Sequence, residues 1–490
     1  MWNSISFILI SLLGFVNFTL NLKTYESNIF GLYLLLSAYW SIGASIDFGF
    51  GVSSIKNIAE ALKISDYNKI NKIINTFLFT YLIVGTIICS VIIGLFYAYD
   101  SVENASFGIY NIDILLLFFG LGFLCRYLAG FLITVYEGLS EFVLVSKINL
   151  SLTVFNTILT LIIYFQKLSL YYLVGSQFVY ALFLFLVLLF RLRYIDKLSI
   201  LKPQLFDFSL IRKDGFYNLN IQLSFILTSF IDPFSKTILG YFLGLQYVTF
   251  FESAKKIINL SNGLIYSATK GMLNKISESN AAGQLKEFMN DKLSVFLNLT
   301  LDYSLLVYGV LNPAICLFIL LWFKSYESMM IFLIFLLPYT LINSGGPLYS
   351  ILIIEGKGGK MVILQLINLL LVTGFLYLSL SISQSYLGLL GFFIATLINS
   401  MLMIYFLRRY LGLDFHRFFA NVKLRDLAII NVVLIIQIIV FSLFKDLTYY
   451  FMFILSIVYP LLFRKQLHFL GGLVLRNIRR FLKRKEYSNG

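Results

Sequence analysis

The sequence predicts an all-α protein that crosses a membrane many times. Long apolar stretches alternate with short polar loops, basic residues concentrate in every second loop, and 59% of residues are hydrophobic while 13% are charged. A helix crosses a bilayer when about 20 successive residues are mostly apolar, and so few charges do not suit a soluble domain. We expect about fourteen transmembrane helices, at residues 4–22, 30–62, 71–98, 112–136, 142–165, 169–190, 213–243, 247–276, 291–322, 327–354, 361–383, 387–411, 425–444 and 447–463.

The basic residues predict which side of the membrane each loop faces. Odd-numbered loops carry one lysine or none, whereas even-numbered loops and the C-terminal tail carry about 28 of the 38 Lys and Arg residues, which marks them as cytoplasmic. Both termini are therefore expected inside the cell. The formal charge of +14 follows from this topology, so we do not take it as a sign of nucleic-acid binding.

A weak internal repeat predicts two six-helix lobes. Phe30–Tyr33 opens the second span and Leu243–Tyr247 precedes the eighth, and each of these spans ends in a short acidic segment. The six helices between them keep both copies in one orientation, which predicts parallel halves. The predicted organisation is an N-terminal lobe at 1–190, a basic cytoplasmic linker at 191–212, a C-terminal lobe at 213–411, two further helices at 412–463, and a basic amphipathic tail at 464–490.

The loops exclude several classes of enzyme. No outer loop is long enough to carry the acidic residues of a polysaccharide polymerase or ligase, and the richest one, Tyr99–Asn111, is a solvated turn in our interpretation. Gly356–Lys360 lacks the spacing of a phosphate-binding loop. The three cysteines lie singly in apolar spans and the two histidines lie in basic loops. We expect no catalytic residue, cofactor or metal site.

Several short motifs follow the predicted topology in order: Phe30-Gly31-Leu32-Tyr33, Asp47-Phe48-Gly49-Phe50-Gly51, Tyr136-Glu137-Gly138-Leu139, Ile238–Gly244 and Glu355-Gly356-Lys357. Over about residues 1–410, this set resembles the polysaccharide exporter family of the multidrug/oligosaccharidyl-lipid/polysaccharide (MOP) exporter superfamily, and most closely the Wzx-type flippases. One position departs from the family pattern, because Ser235 and Lys236 stand where an Asp-Arg pair is common. The departure weakens any inference about ion coupling there.

The resemblance implies a flippase that moves an undecaprenyl-diphosphate-linked oligosaccharide across the bacterial inner membrane by alternating access, for O-antigen or other surface polysaccharide. It implies membrane lipids around the protein, H⁺ or Na⁺ as coupling ion, and a polysaccharide polymerase as a candidate partner. The alternatives are a multidrug/ion antiporter of the same superfamily and an integral-membrane polymerase or ligase.

Four basic residues inside the spans are the predicted contacts for the diphosphate: Arg126, Lys236, Lys255 and Lys56. A charge at mid-bilayer costs about 2.5–3.5 kcal/mol on insertion scales and generally faces a cavity or a partner. Guanidinium binds phosphate oxygens in a bidentate manner, so Arg126 is the first candidate. Its alternative role is as a structural partner for Asp47 or another acid in the bundle. Lys255 alternatively reaches the headgroups, and Lys56 pairs with Glu60 near the inner surface.

Acids and helix breakers complete the predicted site. Asp47, Asp232 and Asp302 are the candidates for ion coupling, although Asp232 alternatively forms an ion pair with Lys236 one turn away. Pro233 predicts a kink in the seventh span. Gly345, Gly346 and Pro347 predict an interruption, and hence a hinge, in the tenth.

Overall fold

The structure is a computed structural model that describes residues 2–46, 50–103, 111–195, 198–215, 219–269, 293–354, 358–411 and 424–462. Within these ranges every regular element is a helix, and none is a strand. Seven helices in the described ranges are long and apolar enough to cross a membrane, or eight if one bent pair forms a single span. The protein is an all-α polytopic membrane protein, as the sequence predicts.

Contacts divide the chain into two units, residues 1–249 and 250–490. The helices that begin in the first unit are α1 (Trp2–Thr24), α2 (Ser27–Ser45), α3 (Phe50–Lys63), α4 (Tyr67–Glu103), α5 (Ile112–Gly138), α6 (Phe142–Gln166), α7 (Leu170–Arg193), α8 (Phe208–Gly215), α9 (Leu219–Leu243) and α10 (Leu245–Thr269). The others are α11 (Leu293–Leu305), α12 (Asn312–Phe323), α13 (Tyr326–Ile354), α14 (Gly358–Ser383), α15 (Leu390–Leu411), α16 (Leu424–Leu443) and α17 (Thr448–Leu462).

Helix boundaries follow the apolar stretches closely. The fifth span, predicted at 142–165, is α6, Phe142–Gln166, and the eleventh, predicted at 361–383, is α14, Gly358–Ser383. The backbone of a transmembrane segment must satisfy its own hydrogen bonds, so an apolar stretch of this length has few alternatives to a helix.

Two spans are broken where the sequence predicted a single helix. The second is divided into α2 and α3, and the ninth bends by 47° after a π-helical turn at Leu306–Val310. Pro313 lies in the first turn of α12, where a missing backbone N–H is tolerated. A π turn changes the register of the helical hydrogen bonds, so turn and proline together account for the bend.

The structure contradicts the interruption predicted for the tenth span. α13 continues through Gly345, Gly346 and Pro347 to Ile354. α9 also continues past Pro233, and the kink predicted there stays a prediction. Proline removes only one helical hydrogen bond, and neighbouring groups in a helical membrane protein can satisfy the freed carbonyl. A hinge role for these four residues stays a prediction.

In the first unit, α5 packs along α7, α1 along α6, and α9 along α2. The Tyr39 hydroxyl lies 2.7 Å from Thr237 Oγ1 and joins α2 to α9. The contacts therefore group α9 with the first unit, whereas the predicted linker at 191–212 would place it in the C-terminal lobe. The lobes as halves of a repeat stay a prediction.

α9 and α10 are joined by the single residue Gly244, whose φ of +93° is rarely adopted by residues with a side chain. The turn brings the start of α10 against the start of α2, where Thr249 Oγ1 donates to the Ser27 carbonyl oxygen at 2.6 Å. Glycine is required at position 31 as well, because a Cβ there would lie 2.0 Å from the Leu245 carbonyl oxygen. At this point the backbones of α2 and α10 therefore contact each other directly.

We expect Gly31→Ala to lower the free energy of unfolding by about 1–3 kcal/mol, because α2 and α10 must separate to admit the methyl group. The measurement is thermal unfolding of purified protein in detergent. Gly14→Ala is the matched control, since a Cβ at Gly14 has no neighbour within 4 Å. Equal midpoints for the two variants would contradict the close approach.

In the second unit, the last two helices are tied to the bent ninth span. Asn312 Nδ2 donates to Gln437 Oε1 at 2.9 Å, and the Tyr459 hydroxyl donates to the same oxygen at 2.6 Å. All three residues are buried. α16 and α17 thus pack into the second unit, although the sequence predicted them only as two further helices. The amphipathic tail at 464–490 lies outside the described residues.

Candidate functional site

The break in the second span lies beside α5. α2 ends at Ser45, and the Ile46 carbonyl oxygen accepts a hydrogen bond from the Tyr127 hydroxyl. This bond satisfies one of the carbonyls left free at a helix end. Asp47, a predicted coupling residue, follows immediately but lies outside the described residues. The missed signal for the break is the high density of glycine and polar residues from Gly43 to Gly51, where they occupy every second position.

Arg126 precedes Tyr127 in the middle of α5, and its side chain is exposed. Its Nη1 donates to the Tyr180 hydroxyl on α7 at 3.3 Å, and its Cζ lies 5.6 Å from the centroid of the same ring. One turn further along α5, a Cβ at Gly130 would have no neighbour within 4 Å. Arg126 therefore lies beside open space.

No carboxylate forms an ion pair with Arg126 among the residues that the structure describes. A cation–π contact contributes about 0.5–2 kcal/mol, and a neutral hydrogen bond about 0.5–1.5 kcal/mol. The two contacts with Tyr180 would roughly offset the insertion cost of about 2.5–3.5 kcal/mol, but within the described part of the chain no carboxylate neutralises the positive charge. The environment of Arg126 therefore suits an anion better than a neutral ligand.

Lys236 is placed differently. It is 3% exposed on α9, and its Nζ lies 3.1 Å from Asp232 Oδ2 one turn earlier. Pro233 is buried between them. A buried lysine is stable as a cation when a carboxylate and further polar groups compensate it, so this pair is neutral overall. The geometry agrees with the alternative of an ion pair between Asp232 and Lys236.

The beginning of the second unit contains another acid–base group, on α10. Lys256 Nζ lies 3.7 Å from Glu252 Oε1, and Glu252 is buried. Lys255 is half-buried, with Nζ 6.0 Å from the centroid of the Phe251 ring. The two residues have the i,i+4 spacing that places side chains on one face of a helix.

The remaining predicted residues are dispersed. Lys56 lies on the exposed face of α3, 4.0 Å from Glu60, with three quarters of its side chain exposed. Asp302 is half-buried on α11, in the second unit. The structure brings Arg126 together with a tyrosine that the sequence analysis missed, Tyr180. Tyr180 is 54 residues away in sequence, so spacing alone gave no signal for it.

Comparison with solved structures shows what this fold is similar to. An inward-facing multidrug resistance MATE family transporter of the MOP superfamily gives a TM-score of 0.65 at 16% identity, over 85% of this chain and 95% of the other. The lipid II flippase MurJ in an inward closed conformation gives 0.59 at 15% identity, over 95% and 100%. A MOP superfamily transporter from Pyrococcus furiosus, described as having a binding pocket of reverse polarity, gives 0.54 at 15%, over 83% and 95%.

These neighbours share the fold at low identity, and they include a MATE transporter of the MOP superfamily and a lipid II flippase. No family model matches the sequence, and no curated protein matches it. The likeness therefore shows the fold, and function has to be argued from the residues of this chain.

Proposed function

We propose that this protein is a flippase for an undecaprenyl-diphosphate-linked oligosaccharide in the bacterial inner membrane. The observation that carries the proposal is Arg126, an exposed guanidinium in the middle of an apolar helix with a tyrosine as its neighbour. A diphosphate offers the oxygens that guanidinium binds in a bidentate manner. The fold shared with MurJ, a lipid II flippase, supports a lipid-linked substrate.

In this proposal, Arg126 binds the diphosphate while the prenyl chain remains in lipid, and alternating access exposes the headgroup to each side in turn. Tyr180 orients the guanidinium through its hydroxyl and its ring. A proton or sodium gradient drives the cycle, with Asp47, Asp232 and Asp302 as the coupling candidates. Lys255 and Lys56 are secondary headgroup contacts, and Lys236 contributes through its pair with Asp232.

A multidrug/ion antiporter is the second candidate function. The carboxylates of Glu252 and Asp232 lie within apolar helices, where they suit an organic cation or a proton. The MATE neighbour carries the name of a multidrug resistance transporter. The basic partners of both acids reduce their attraction for a cationic drug, so we place this function second.

The test is reconstitution of the purified protein into liposomes that contain a fluorescent undecaprenyl-diphosphate oligosaccharide. A membrane-impermeant quencher measures the fraction in the outer leaflet. We expect protein-dependent equilibration between leaflets, and slower equilibration of the same oligosaccharide on undecaprenyl monophosphate. Uptake of ethidium without any flipping would overturn the proposal in favour of the antiporter, and the absence of both activities would contradict both candidates.

A further inference from the structure

The segment between α7 and α8 is bound to α4 by side chains. We call residues 198–207 the strap; it includes one 3₁₀ turn, Pro203–Leu205, and otherwise has no regular structure. Three residues in the first turns of α4 contact it: Asn71, Asn75 and Thr76, all buried. Their amide and hydroxyl groups face the backbone of the strap.

The hydrogen bonds follow the strap from one end to the other. The Ser199 backbone N–H donates to Asn71 Oδ1 at 2.8 Å, and the Ser199 carbonyl oxygen accepts from Asn75 Nδ2 at 2.6 Å. The Lys202 N–H donates to Asn75 Oδ1 at 2.7 Å. The Asp207 N–H donates to Thr76 Oγ1 at 2.9 Å. Side chains of one helix thus replace the water that a loop backbone normally binds.

Asn75 holds the centre of this arrangement. It is fully buried, and its amide uses both ends, since Nδ2 donates to Ser199 and to the Asn71 carbonyl oxygen while Oδ1 accepts from Lys202. Releasing the strap would leave these groups buried without partners, which is unfavourable. The strap is therefore held against α4 by buried hydrogen bonds.

The backbone conformation of the strap also indicates that it is held in place, and local hydrogen bonds fix its junction with α8. Leu201 has a φ of +60°, a left-handed conformation that a residue with a branched side chain keeps only where its surroundings enforce it. At the end of the strap, Asp207 Oδ1 accepts from the N–H and the hydroxyl of Ser209 in the first turn of α8. These bonds, with the nearby charge of Lys72 on α4, hold the pKa of Asp207 below its usual value.

We propose that the strap stays bound to α4 throughout the transport cycle, so that residues 198–207 move with the first unit as one body. This inference rests on the proposed function only in assuming that the protein changes conformation during transport. The alternative is that the strap must detach from α4 in each cycle. Both alternatives involve the same contacts, and they differ only in whether transport requires the strap to detach.

Cross-linking separates the two. With Cys89, Cys125 and Cys316 replaced by alanine, Asn71→Cys and Ser199→Cys place a cysteine pair across the strap contact. We expect the oxidised protein to flip the fluorescent oligosaccharide within about twofold of the same protein after reduction. The two single-cysteine variants, oxidised in the same way, are the controls. Loss of flipping on oxidation that reductant restores would overturn the proposal.

A second measurement does not depend on transport activity. In hydrogen–deuterium exchange on the full chain, the amides of Ser199 and Lys202 should exchange at least about tenfold more slowly than unprotected amides. Asn75→Ala should remove that protection, whereas Thr80→Ala, which loses only a bond within α4, should keep it. Rapid exchange at both amides in the unaltered protein would overturn the strap even if flipping is confirmed.

Discussion

Arg126→Ala is expected to reduce flipping of the diphosphate-linked oligosaccharide by about 10- to 100-fold, because a hydrogen bond to a charged group contributes about 1.5–3 kcal/mol. The variant should fold, since Arg126 is exposed and its described contacts are those with Tyr180. The measurement is the rate of leaflet equilibration at equal amounts of reconstituted protein.

Arg126→Lys and Tyr180→Phe separate charge from geometry. Lysine keeps the positive charge without the planar guanidinium, so we expect activity between those of the alanine variant and the unaltered protein. Phenylalanine at position 180 removes the hydroxyl that accepts from Nη1 of Arg126 but keeps the ring. We expect it to lower the rate of flipping severalfold at most. An alanine variant that is properly folded and flips at the normal rate would remove Arg126 from the site.

Lys236→Met is expected to lower the free energy of unfolding by about 3–5 kcal/mol, because it leaves a carboxylate in a largely buried position without its ion-pair partner. Lys236 is 3% exposed, and the side chain of Asp232 is 25% exposed. The double variant Asp232→Asn, Lys236→Met should recover most of that loss, because it removes both charges. The measurement is thermal unfolding in detergent of both single variants and the double variant.

Flipping by the double variant then tests the predicted headgroup contact of Lys236. If Lys236 acts only through its pair with Asp232, the stable double variant flips at close to the normal rate. A stable double variant that flips slowly would show that one of the two groups acts in transport: normal flipping by Asp232→Asn alone would then assign diphosphate binding to Lys236, and slow flipping by Asp232→Asn would assign ion coupling to Asp232. A double variant as unstable as Lys236→Met would contradict the account of the pair as a compensated charge.

Much of the fold was predictable because a bilayer leaves the backbone few choices. The limits of α6 and α14 follow from where apolar residues give way to polar ones, since unsatisfied peptide groups are unfavourable in hydrocarbon. Ion pairs within one helix were predictable too. Asp232–Lys236 and Glu252–Lys256 have the i,i+4 spacing that places two side chains on one face.

Helix breaks were harder to predict, because glycine and proline have no fixed effect inside a membrane helix. Pro347 lies within the continuous α13, whereas Pro313 lies beside the bend between α11 and α12. Side-chain contacts with other helices accompany both breaks: Asn312, at the bend, donates to Gln437 on α16, and Tyr127 on α5 donates to the free carbonyl of Ile46. Such partners come from other helices.

The sequence by itself determined that this protein is a helical membrane protein, where its helices lie, and which charges lie within them. Only the tertiary structure decided that Arg126 meets a tyrosine on α7 and that the backbone of the strap meets an asparagine on α4. The physical reason is one of range. Hydropathy and helical periodicity act within about two turns of one helix, whereas these compensating contacts form only once helices distant in sequence have packed together.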